Sequence, residues 1–210
     1  MTAQRVVLAR HGRTISNVTK ALDSRPPGAP LDELGLTQAA ALGKRLAGHP
    51  ISAVYASRAT RAQQTAAPVA AEHGLAVEVI DGVQEVFCGD LEGRADHEAR
   101  ALFDETYAAW WRGDFDAHLP GGESARDLRA RYVPAVEAVR DAGSDTVVLV
   151  SHGAAIRLVA AALLGDTAET QYVPNTGLVI LRPTAGGWEL EHWDEAPPIT
   201  GDVTGGGDAD

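Results

Sequence analysis

Twice in this chain a short apolar run of strand type stops at a polar turn containing His-Gly. Val6-Val7-Leu8-Ala9 runs into Arg10-His11-Gly12, and Thr146 to Val150 runs into Ser151-His152-Gly153. A continuous apolar run of this length reads as a strand buried on both faces, as in a parallel sheet covered by helices. Open α/β sheets place their chemistry just beyond the carboxyl ends of such strands, where both His-Gly pairs stand. Gly12 reads as a point where a ligand can approach the backbone, and Arg10 as a planar fork suited to phosphate oxygens. His11 by itself is open to three roles: base, metal ligand or nucleophile.

The segments between the two runs alternate in the way such a sheet needs. After a Pro/Gly-containing loop from Lys20 to Pro30, Thr37 is expected to cap a helix through about Leu46, with Ala39, Leu42 and Leu46 on one stripe. Ile51 to Ala56 reads as a strand, an Ala-rich helical segment runs from Ser57 to about His73, and Leu75 to Ile80 alternates as a third strand. This β-α-β-α-β order predicts an α/β fold with a mainly parallel sheet.

The stretch from Asp81 to Gly122 breaks the rhythm. A loop through Gly93 leads to a helical stretch carrying Leu102, Phe103, Tyr107, Trp110 and Trp111. Residues 84–122 read as an excursion over the carboxyl edge of the sheet, a lid or specificity element. Ser124 with Asp127 then resembles a capping box, followed by helical spacing at Leu128, Tyr132, Ala135 and Val139. An apolar helix through Leu164 follows His152, and Gly177 to Arg182 and Trp188 to Trp193 read as closing strands. Residues 1–196 read as one catalytic domain without linker or internal repeat. Residues 197–210, rich in Pro, Gly and Asp, read as a disordered acidic tail.

The net charge of -11 argues against nucleic acid or a membrane surface as partner, since both select a basic face. Any anionic small-molecule substrate must therefore be drawn in by a local cluster of arginines. The single cysteine, Cys88, leaves no internal disulfide framework and fits a reducing compartment. No apolar run reaches membrane-spanning length and no signal-peptide core precedes Val6, so the expected location is the cytoplasm. An exposed strand edge allows a homodimer.

Two His-Gly pairs at two strand ends suggest one site built from both. Arg10 and Arg61 supply permanent cations, and two arginines with two histidines match what a phosphoryl group demands. A neutral imidazole attacks well, and the leaving alkoxide then needs a proton from an acid, for which Glu85 is the favoured carboxyl. By itself Glu85 reads as readily as a solvated loop carboxylate, with Asp81, Asp90 and Glu92 near enough to compete.

Arg10-His11-Gly12 with Thr14 and Asn17, Ser57 with Arg61-Ala62 and Gln64-Thr65-Ala66, Glu85 with Gly89, Glu92 and Gly93, Pro120 to Ser124, and Ser151-His152-Gly153 occur in one consistent order. In these motifs the sequence resembles the histidine phosphatase superfamily, the group that includes cofactor-dependent phosphoglycerate mutases. The resemblance covers roughly Arg5 to Leu164. It implies a phosphoglycerate mutase-like three-layer α/β/α sandwich and a phosphohistidine on His11. Arg10, Arg61 and His152 would hold the phosphoryl group with help from Asn17 and Gly153. Glu85 would protonate the leaving oxygen and then activate water. No metal and no organic cofactor are implied. Arg13, Ser16 and Arg58-Ala59-Thr60 depart from the usual wording of the motifs, leaving the catalytic set intact and the substrate open.

Rival readings fare less well. Cys88 and Arg94 stand at the C-x5-R spacing of cysteine-dependent phosphatases, but Asp90 and Glu92 would repel both thiolate and phosphate. A zinc hydrolase lacks its H-E-x-x-H or Cys/His cluster here, and arginines beside the histidines repel a cation. A phospho-ligand binder without catalysis has no need of the acid. Arg58 and Arg157 read as surface or supporting charges, either of which could reach a ligand. His49, His73, His97, His118 and His192 lack a motif, and Trp110-Trp111 reads as packing rather than a substrate platform. Ser16 where the mutases carry Trp, with an excursion of modest length, favours hydrolysis of a small phosphomonoester over mutase-type transfer.

Overall fold

The structure is a computed structural model that describes residues 3–166 and 168–194, so the expected tail at 197–210 lies outside the described residues. Six strands form one mixed sheet: β1 (Arg5–Arg10), β2 (Ile51–Ala56), β3 (Val77–Val79), β4 (Thr146–Ser151), β5 (Leu178–Thr184) and β6 (Gly187–Trp193). Their spatial order is β3-β2-β4-β1-β5-β6. The first four strands pair in parallel, and β5 and β6 add antiparallel rungs at one side.

Strand alternation splits the core in two. Val6 and Leu8 of β1 and Val147 and Leu149 of β4 face one layer, packed with Leu128, Tyr132 and Val136 of α5 (Ala125–Ala142) and Ile156 and Val159 of α6 (Gly153–Leu164). Val7, Ala9, Val148 and Val150 face the other, against Leu42 and Leu46 of α2 (Glu33–Leu46) and Ala62, Ala66 and Val69 of α3 (Thr60–Glu72). Both faces are covered, which is why these strands are apolar at every position. The chain leaves β1 toward the α2 face and leaves β4 toward the α6 face. The neighbouring carboxyl ends of β1 and β4 therefore open a crevice at a topological switch point.

Some boundaries differ from the sequence expectation. Helix α2 begins four residues before Thr37, because the Asp32 carboxylate accepts the Gly35 N–H at 2.8 Å and caps it. Thr37 lies within the first turns and donates to the Glu33 carbonyl. A short helix not expected from periodicity, α1 (Ile15–Thr19), follows β1. Thr14 and Asn17 form its capping box, with Asn at the position more often held by Glu or Gln. Helix α3 starts at Thr60 rather than Ser57, and β3 is confined to Val77–Val79. The Ser124–Asp127 capping box opens α5 as expected. The excursion holds α4 (His97–Trp111), whose Trp110 is buried and donates to the Ala117 carbonyl. No helix among the described residues is long and apolar enough to cross a membrane.

Candidate active site

In the β1–β4 pairing Arg10 stands opposite Ser151, so His11 and His152 both follow the last rung. Their rings meet edge-on with centroids 5.2 Å apart. Both are buried, as are Arg10 and Arg61. His11 Nδ1 lies 2.7 Å from the carbonyl of Gly12 and donates to it. That fixes the tautomer and leaves the lone pair on Nε2, where the Arg61 Nε–H donates at 3.1 Å. Arg61 Nη2 reaches His152 Nδ1 at 3.2 Å, so the remaining ring proton of His152 lies on Nε2, 2.8 Å from Ser57 Oγ. Burial lowers the pKa of His11 well below 6.5, and Arg61 and Arg10 lower it further. His152 is lowered for the same first reason, then by Arg61 and His11. Both imidazoles are neutral at neutral pH.

Each arginine is braced from behind. Arg10 Nη1 donates to Tyr172 Oη at 2.5 Å and to the Val173 carbonyl at 2.8 Å. Arg61 Nη2 donates to the Asp23 carbonyl at 2.7 Å, and its Nη1 lies 3.4 Å from the Asp23 carboxylate. Burial depresses the Arg61 pKa, opposed chiefly by Asp23. Arg10 Nε and Arg61 Nη1 are buried without a hydrogen-bond acceptor.

Glu85 is half-buried. Its carboxylate accepts the N–H groups of Val86 at 2.9 Å, Ala155 at 2.9 Å and Ala154 at 3.3 Å, which ties it to the start of α6. Its competitors are engaged elsewhere. Glu92 accepts from the backbone of Ser24 and Arg25, Asp81 pairs with Arg58 at 2.8 Å, and Asp90 is exposed. Asn17 Oδ1 accepts from the Thr14 N–H at 3.1 Å, leaving its amide group as the part available to a ligand. Gly153 lies against the Arg10 side chain at the first turn of α6.

Arg10, His11, Asn17, Arg61, Glu85 and Gly153 line a cavity of about 120 Å³, together with Asp23, Phe103, Tyr107 and Tyr172 and the cations Lys20, Arg100 and Arg157, while His152 stands behind that lining, in contact with His11 and Arg61. One expectation needs correction. Gly12 makes room for the fold rather than for a ligand, since a Cβ there would stand 2.6 Å from the Gly35 carbonyl oxygen of α2. Arg157 is part of the cavity wall, lying 4.4 Å over the Trp111 ring. Cys88 is buried with its thiol pushed up to about 12, mainly by burial. Arg94 is spent on Asp96 and Glu98, so the C-x5-R spacing assembles no site. None of His49, His73, His97, His118 and His192 lines the cavity. Asp23 and Tyr172 were not legible as site residues because each sits in a segment without motif or period, and Arg100 was not because the helical period of its stretch marks the apolar face and no charge on it.

A family model described as "Histidine phosphatase superfamily (branch 1)" matches residues 6–196. A 2,3-bisphosphoglycerate-dependent phosphoglycerate mutase of a Methylobacterium species is 34% identical over 174 residues, spanning 79% of this chain and 83% of the relative. A mycobacterial glucosyl-3-phosphoglycerate phosphatase superposes with a TM-score of 0.77 at 30% identity, covering 92% of this chain and 99% of that one. The alpha-ribazole phosphatase from Shigella flexneri gives 0.74 at 28% identity, over 90% and 96%.

Proposed function

The chain belongs to the histidine phosphatase superfamily, branch 1, and on that premise we propose that it hydrolyses a small phosphomonoester through a phosphohistidine on Nε2 of His11. The observation that carries this reading is the pair of buried guanidinium N–H groups beside a neutral imidazole, Arg10 Nε without a hydrogen bond and Arg61 Nη1 with only a long ion-pair contact to Asp23 at 3.4 Å. Buried donors are satisfied as a rule, and a phosphoryl oxygen supplies what these two need.

In the first step the Nε2 lone pair forms the N–P bond as the P–O bond to the alcohol breaks. The leaving oxygen takes the carboxyl proton of Glu85. Arg61 Nε–H turns from Nε2 to a phosphoryl oxygen in the same event. In the second step water attacks phosphorus, Glu85 takes its proton, and the N–P electron pair returns to Nε2. Arg10 and Arg61 hold the equatorial oxygens throughout, and His152 joins them once its Nδ1, released by Arg61, carries a proton.

The rest of the cavity bears on substrate. Among the described residues, Lys20, Arg100 and Arg157 line it with Arg10 and Arg61 against two carboxylates, Asp23 and Glu85; Arg100 pairs with Asp104 outside the lining at 3.6 Å, and Asp23 and Glu85 are themselves engaged. In a chain of net charge -11, this local excess of cations favours an alcohol that itself carries a carboxylate or a second phosphate. Phosphoglycerates and their glycosides, named for two of the relatives, have that chemistry. Ser16 and the single helix of the excursion support hydrolysis over mutase transfer, and α4 serves as the specificity wall.

A phosphate-release screen over phosphoglycerates, sugar phosphates and nucleotide phosphates tests this, beside a coupled mutase assay with bisphosphoglycerate. Fastest release from the anionic esters is expected. Robust mutase turnover without net phosphate release overturns the reading.

A further inference from the structure

Glu85 is held at its tip by α6, but its backbone belongs to a loop with no regular structure. Something has to fix that loop to within a fraction of an ångström if the carboxyl is to meet a leaving oxygen. Buried Val83 and Val86 attach the loop to the core without defining its direction. Ser151 Oγ holds the Val83 carbonyl at 2.8 Å, and the carbonyls on either side of it are held by one side chain outside the cavity, Arg131 of α5.

A guanidinium has five N–H donors, and Arg131 uses all of them. Nη1 donates to the carbonyls of Gly82 at 2.8 Å and Gln84 at 2.9 Å, and Nη2 to the Glu85 carbonyl at 2.9 Å. Nε and Nη2 grip the two carboxylate oxygens of Glu123, each at 2.7 Å. Glu123 in turn accepts the Phe87 N–H at 3.0 Å and donates its own N–H to the Phe87 carbonyl at 3.0 Å. Carbonyls 82, 84 and 85 and both polar groups of residue 87 are thus tied to one ion pair. The loop lies so close to α5 that a Cβ at Gly82, where φ is +86°, would stand 2.8 Å from the Arg131 carbonyl oxygen.

We infer that Arg131, with Glu123, is the positioning residue for the acid Glu85 in the proposed phosphoryl transfer, an inference that rests on the general-acid role given to Glu85 above. An ion pair that served the fold alone would have no reason to gather three carbonyls of this one loop around the acid. Lysine cannot replace it, because one ammonium with three donors does not span both the carboxylate and three carbonyls.

The test uses the dependence on leaving group. Protonation matters for an alkyl ester such as glycerol phosphate and little for p-nitrophenyl phosphate, whose alcohol leaves unaided. Because kcat/KM reports the steps through enzyme phosphorylation, it is the quantity to compare. Glu85→Gln should lower kcat/KM for the alkyl ester by about 10²-fold or more and spare the nitrophenyl ester. Arg131→Met should lower the alkyl ester about tenfold with the nitrophenyl ester nearly unchanged. Added to Glu85→Gln it should do nothing further, since both act through one group.

Equal losses on both esters, no loss on either, or losses that multiply in the double variant overturn the inference. If Arg131→Met does not fold, Arg131→Lys is judged by the same three outcomes. A Glu85→Gln variant insensitive to leaving group instead overturns the acid role itself, and the inference with it.

Discussion

Arg61 Nε–H donates to the nitrogen of His11 that carries the free lone pair, at 3.1 Å, while Nη2 of the same guanidinium reaches His152 at 3.2 Å. One planar group therefore bridges both imidazoles; in the proposed reaction it covers the attacking nitrogen at rest and turns to phosphoryl oxygens on attack.

From this bridge, Arg61→Lys should be nearly as inactive as Arg61→Ala. A point charge on a flexible stem cannot serve two ring nitrogens and two phosphoryl oxygens in one plane. A loss in kcat/KM of about 10²- to 10³-fold is expected for both, by the scale of removing one preorganised donor. Steady-state phosphate release checks it, and recovery by lysine to within tenfold of the parent contradicts it.

Replacing Asp23 separates binding from turnover. Its carboxylate accepts from Ser16 Oγ at 2.8 Å and the Ala29 N–H at 3.0 Å, and it stands 3.4 Å from Arg61 Nη1. Asp23→Asn keeps the backbone carbonyl that Arg61 uses but removes an anion from the cavity wall. Inorganic phosphate should then bind several-fold tighter while kcat falls about tenfold, because the fork loses its aim as repulsion is relieved. Phosphate inhibition constants measured beside kcat decide the matter. Weaker phosphate binding in step with kcat contradicts it.

The two buried histidines set a pH dependence of stability with a definite sign. Both folded pKa values lie well below 6.5, the value for an unfolded chain. Between those limits the unfolded state binds protons that the fold excludes, so stability rises with pH through this window and is lost as pH falls below 6.5. The loss should be about 1 kcal/mol per pH unit per histidine. Urea midpoints at about pH 7.5 and about pH 5.5 test this. A variant carrying His11→Gln and His152→Gln should show a shallower fall, and an unchanged slope contradicts the assignment.

Cys88→Ala should keep full activity and cost about 1 kcal/mol of stability, the scale of removing one buried methylene-sized group. With its thiol pushed up to about 12 and donating to the Val86 carbonyl, it has no thiolate to offer. Turnover and thermal melts measured on one preparation check both halves.

Strands β1 and β4 and the histidines after them were legible because burial on both faces writes an unbroken apolar run. The run then ends where the sheet ends. The motifs also brought out Arg10, Arg61 and Glu85, all of which line the cavity. Helix α1 was hidden, since five residues carry no period and its cap uses Asn17 rather than Glu. The start of α2 at Asp32 was hidden by a more familiar threonine four residues inside the helix. Asp23, Tyr172 and Arg131 act through long-range contacts with Arg61, Arg10 and the Glu85 loop, and no local pattern encodes those.

Because the last rung of β1 is paired to the last rung of β4, the site joins residues separated by most of the chain. A nascent chain leaving the ribosome carries His11, Arg61 and Glu85 long before Ser151 and His152 have been added. Until then His11 has no facing imidazole, and a truncation anywhere before β4 yields a chain with most of the motif and one side of the site missing. On the proposed function, activity waits for β4 and the turn that follows it.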